Sequence, residues 1–78
     1  MKEEFMKKVS RELKFIRLEN DDKQEDLAIK SKVAMSTISK YEDGSRNMNL
    51  YKIEEILNPY GITLEKFFNR VLAKMQNE

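Results

Sequence analysis

Residues 24–44 read QEDLAIKSKVAMSTISKYEDG, and the spacing within this stretch decides the fold. It predicts two short helices joined by a tight turn at about Ser31 to Ala34, the second running from about Met35 to Asp43 and stopped by Gly44. Leu27 and Ala28 give the first helix one large and one small inward residue, and the small one lets a second helix cross close to it. Ile38 and Tyr41, spaced i, i+3, give the second helix its own inward face. Met35, Ser36, Thr37 and Lys40 are then left outward, as a short polar row on an exposed helix.

Working outward, Phe5, Val9, Leu13 and Ile16 fall on one face of a helix expected from about Glu4 to Glu19. Asn20-Asp21-Asp22 ends it, and Asp22-x-x-Glu25 offers a capping-box-like start for a helix near Lys23. Asn49 is a reasonable N-cap for a fourth helix with Tyr51, Ile53, Ile56 and Leu57 inward, which Asn58-Pro59-Tyr60-Gly61 closes. A fifth helix over 63–76 carries Leu64, Phe67, Phe68, Val71, Leu72 and Met75 as an apolar stripe. The expectation is therefore an all-α, five-helix fold, with residues 1–78 as one domain. The stripe exceeds what so small a core needs, so Phe68, Val71, Leu72 and Met75 are expected to form a homodimer interface. The alternative is that the last helix folds back entirely onto its own chain.

Composition narrows the chemistry. With no histidine and no cysteine among 78 residues, the commonest general base, thiolate metal ligands and disulfides are all missing. Ser36 and Lys40 lie i, i+4, but a lysine on an exposed helix has no burial to lower its pKa. The run Glu19 to Asp26 lacks the glycine and ligand spacing of a calcium loop. No enzyme activity, cofactor, metal or small-molecule ligand is expected. Met-Lys-Glu-Glu-Phe has no apolar run behind it, and no stretch approaches the ~20 apolar residues of a membrane span, so a cytoplasmic location is expected. The net charge is only +1, yet Leu27 to Tyr41 holds Lys30, Lys32 and Lys40 and no acid. A local basic face on a near-neutral chain predicts weak non-specific attraction to phosphates.

A polar row on an exposed helix, braced by a second helix across a tight turn, is the geometry with which a helix-turn-helix reads the DNA major groove. The stretch from about Leu13 to Phe68 resembles the Cro/CI-type (XRE-type) transcription regulators, a lambda-repressor-like fold. The length, the Ser45-Arg46-Asn47 run after Gly44, and Phe67-Phe68 opening the last helix look most like the controller proteins of restriction–modification systems. The family usually has Ser or Thr in place of Lys23, a glycine–apolar pair in place of Asp21-Asp22, glycine in place of Lys32 and a Ser or Thr cap in place of Ala34. These departures imply a shifted loop and a less stable turn.

The resemblance also assigns roles. Arg17 and Glu42 match a family ion pair that fixes the angle of the recognition helix. Gln24 at a helix N-terminus, Ser39, and the Arg46 and Asn47 that follow the recognition helix would contact phosphates, setting register. Met35, Ser36, Thr37 and Lys40 would meet base edges; none is bidentate, so shape and paired half-sites are expected to matter. The implied function is a homodimeric regulator on palindromic duplex DNA. A phage- or plasmid-type repressor, or a protein-binding module such as an antitoxin, fits the same residues.

Overall fold

Val9, Leu13 and Ile16 recur at helical spacing and are almost wholly buried, and around them forms α1 (Lys2–Glu19). The computed structural model describes residues 2–45 and 47–77. The chain continues as α2 (Gln24–Ser31), α3 (Met35–Asp43), α4 (Leu50–Leu57), a 3-10 turn (Asn58–Tyr60) and α5 (Leu64–Gln76). There is no strand among the described residues. One core gathers α1 with Leu27, Val33, Ile38, Tyr41, Ile53, Ile56, Leu57, Phe67 and Val71. α1 packs on α3 and α5, and α2 packs on α3 and α4. None of the described helices is long and apolar enough to cross a membrane.

The ends follow from local chemistry. Asn49 caps α4 by accepting from the backbone N–H groups of Tyr51 and Lys52, at 2.8 and 3.2 Å. The Thr63 hydroxyl accepts from Lys66 N–H and starts α5. Half of a capping box starts α2, one residue later than Asp22-x-x-Glu25: Lys23 N–H donates to the Asp26 carboxylate at 2.8 Å, and the lysine side chain has no acceptor to complete it. The shift arises because Asp21 takes a left-handed backbone (φ 60°), where aspartate is tolerated better than most residues, and Asp22 turns inward.

Tyr51 does not face inward. It is 79 % exposed, because at about 100° per residue it stands roughly 200° around the helix from Ile53. Ile53, Ile56 and Leu57 alone make the inner face of α4.

Candidate nucleic-acid interface

The turn between α2 and α3 is made by Lys32, whose backbone is left-handed (φ 62°), and by Val33, which is buried. Ala34 then stands at the N-cap of α3 with no side-chain cap, and its carbonyl accepts from Thr37 and Ile38 N–H at 3.0 and 3.1 Å. At the other end Gly44 takes φ 75°, a left-handed conformation that favours glycine, whereas a Cβ there would make only van der Waals contact with Ser10 Oγ at 3.4 Å. Ile38 and Tyr41 bury one side of α3. Met35, Ser36 and Lys40 are exposed on the other, with Thr37 and Ser39 half-buried along its margins. The expected outward row is thus assembled on one helix face, with Met35 51 % exposed.

α3 is locked to α1 by Arg17 and Glu42, both buried. Arg17 Nε donates to Glu42 Oε2 at 2.8 Å and Nη2 to Oε1 at 3.0 Å. The hydrogen bond to Glu42 raises the Arg17 pKa, outweighing the opposing effect of desolvation. Glu42 Oε1 also accepts from Gln24 Nε2 at 3.1 Å. Gln24 opens α2, and one of the two N–H donors of its amide is committed to Glu42 of the recognition helix.

Two features of this face were not anticipated from sequence. The first is an Asx turn: Ser45 N–H donates to Asp43 Oδ1 at 2.8 Å and hydrogen bonds from the Ser45 side chain and backbone lower the Asp43 pKa. With Asn49 N–H donating to the Tyr41 hydroxyl at 3.0 Å, this anchors both ends of the segment after α3. The Asp43-x-Ser45 spacing was a readable signal for it. Asn47 is exposed within that segment, and Arg46 lies outside the described residues.

The second is a polar hub around Asp22. Its carboxylate accepts Lys30 Nζ at 2.9 and 2.8 Å and the Tyr60 hydroxyl at 2.9 Å, while its backbone carbonyl accepts Arg17 Nη1 at 2.7 Å. Lys30 and then Tyr60 hold the Asp22 carboxyl below the usual carboxylate range, while burial and then Asp22 raise the Tyr60 phenol. Of the three lysines in the basic stretch, Lys30 is therefore paired with an acid.

The apolar stripe of α5 divides. Val71 is 1 % exposed and closes this chain's own core, so it offers no surface to a second copy. Phe68 stacks on Phe5 (ring centroids 6.3 Å apart) and Met75 packs against the core, whereas Leu72 is 47 % exposed. Ion pairs draw α5 onto α1: Arg70 reaches Glu12 at 2.9 Å and Glu19 at 2.8 Å, and Lys74 reaches Glu12 at 2.7 Å.

The fold and this face define a helix-turn-helix protein. The helix-turn-helix family matches residues 13–67, and the chain belongs to it. Within that family it is similar to the restriction-modification controller protein C.Esp1396I: against the wild-type crystal structure the identity is 34 %, the TM-score 0.85, and 95 % of this chain and 96 % of that one are covered. The same protein bound to a 25 base pair operator site matches at 35 % identity and TM-score 0.81, covering 92 % and 95 %. Its tetramer on a natural 35 base-pair operator matches at 35 % identity and TM-score 0.84, covering 92 % and 95 %. No curated protein sequence matches this chain.

Proposed function

We propose that this chain is a sequence-specific DNA-binding transcription regulator, the controller of a restriction–modification system, acting in the cytoplasm as a homodimer on a palindromic operator. The observation that carries the reading is the exposed row Met35, Ser36 and Lys40, held at a fixed angle by the buried Arg17–Glu42 pair. Lys40 can donate to guanine O6 or N7, Ser36 can donate or accept, and Met35 and the Thr37 methyl can pack on thymine methyls. Gln24, Ser39, Arg46 and Asn47 would hold phosphates and set register. The controller role is supported by the operator-bound relatives. No catalytic role is proposed.

Residues 1–78 act as one domain in this reading. Its dimer face centres on Leu72, with Phe68 and Met75 beside it, and the two recognition helices lie about 34 Å apart. The test is selection of bound fragments from a random duplex pool at about 150 mM salt, with the mass of the complex measured alongside. A two-fold symmetric motif with half-sites about one turn apart, bound by two chains or a multiple of two, is expected. Recovery of no motif, with affinity collapsing as salt rises, would leave only phosphate attraction and refute the regulator reading.

A further inference from the structure

We infer that Tyr60 is a positioning residue for DNA recognition: its hydroxyl, donated to Asp22, fixes the loop carbonyl that seats Arg17 and so sets how α3 is presented. The inference rests on the DNA-binding reading above and adds to it a residue far from the recognition helix in sequence.

The geometry is a continuous path. Tyr60, in the 3-10 turn after α4, donates to Asp22 Oδ2 at 2.9 Å across 38 residues of chain. The Asp22 carbonyl accepts Arg17 Nη1 at 2.7 Å. The remaining donors of the same guanidinium hold Glu42 in the last turn of α3, and Glu42 in turn holds Gln24 at the start of α2. Three guanidinium bonds fix the plane of Arg17, and one of them depends on where the Asp22 backbone lies.

The Asp22 N–H ties that backbone to the Arg17 carbonyl at 3.2 Å, and the side-chain bonds of Asp22 hold it from the other side. The loop from Asn20 to Lys23 contributes no residue to the hydrophobic core, and Asp21 adopts a left-handed conformation that costs a non-glycine residue energy. Side-chain bonds from Tyr60 and Lys30 supply the restraint that apolar packing does not. Lys30 is half in solvent, so Tyr60, which is half-buried and has one rotatable hydroxyl, is the stiffer of the two anchors.

The experiment compares wild type with Tyr60→Phe, which removes one oxygen and keeps the ring. Dissociation constants are measured for the operator recovered by the wild type and for a random duplex, over a salt series, well below each protein's unfolding midpoint. The expected result is about a tenfold loss of operator affinity, with random-duplex affinity and both salt slopes unchanged, because the phosphate contacts are intact. In an Asp22→Ala background, Tyr60→Phe should have no further effect, since the path is already cut. A lowered midpoint with unchanged discrimination would overturn the inference and make Tyr60 a brace alone; additive losses in the double variant would overturn it too. A wild type that does not discriminate operator from random duplex would instead refute the DNA-binding reading itself.

Discussion

Arg17 of α1 holds Glu42 of α3 through two hydrogen bonds from one guanidinium, at 2.8 and 3.0 Å, with both side chains withdrawn from water. Removing one partner leaves a desolvated charge, so Arg17→Met or Glu42→Leu should each cost about 3–5 kcal/mol, a large share of the stability of a small domain. The double variant should recover much of that loss, since two apolar side chains leave no charge stranded. Urea denaturation followed by circular dichroism measures both. Additive losses in the double variant would show that the pair is not coupled.

The Asp22 hub predicts a pH dependence. Lys30 and Tyr60 depress its pKa in the folded protein, as Ser45 depresses that of Asp43. A depressed carboxylate contributes stability that is present above its unfolded pKa of about 3.9 and lost as pH falls through the folded value. The urea midpoint should therefore fall as the solution is acidified below about pH 4, and Asp22→Asn should lower the midpoint at pH 7 while making it less sensitive to acid. A midpoint that falls equally steeply in wild type and Asp22→Asn would rule out the hub as a cause.

What could be read from the sequence followed the physical range of each interaction. Leu27, Ile38, Ile53 and Phe67 announced their burial through spacing, because helical period depends on neighbours within one or two turns. Asn49 and Gly44 announced the helix ends for the same reason. Tyr51 failed because an aromatic was assumed inward where the helical phase put it outward. The Tyr60–Asp22 bond spans 38 residues and joins two residue types that are ordinary on any surface, so no local pattern marks it. The Arg17–Glu42 pair, separated by 25 residues, was legible only through resemblance to a family.

The α2–α3 turn is suboptimal in two separable ways. Lys32 occupies φ 62° without being glycine, and Ala34 caps α3 without a side-chain acceptor. Lys32→Gly should stabilise by about 0.5–1 kcal/mol, the relief of left-handed strain being partly offset by glycine's larger unfolded-state entropy. Ala34→Ser should add about 0.5–2 kcal/mol through the restored cap. Thermal unfolding should rise by roughly 4–8 °C for each kcal/mol gained. A fall in the midpoint for Lys32→Gly would mean that the lysine side chain contributes more than its backbone costs.

At the reading face, Lys40→Ala combined with Arg46→Ala should abolish binding to the selected operator while leaving the far-ultraviolet dichroism unchanged, since Lys40 lies on the exposed side of α3. Fluorescence anisotropy with labelled duplex measures this. Retained operator binding would remove the proposed base and phosphate roles of these residues together.

The divided stripe of α5 makes Val71 and Leu72 respond differently to the same change. Val71 is buried in the core, so Val71→Glu places an unpaired carboxylate among apolar side chains and should prevent folding at any protein concentration. Leu72 is 47 % exposed, so Leu72→Glu should leave the helical signal intact and instead shift the sedimentation equilibrium from dimer towards monomer. Operator affinity should fall with it, because two half-sites are no longer engaged by linked recognition helices. If Leu72→Glu remains dimeric and binds operator as the wild type does, the second copy docks elsewhere. The exposed Leu50 and Tyr51 at the start of α4 would then be the next face to substitute.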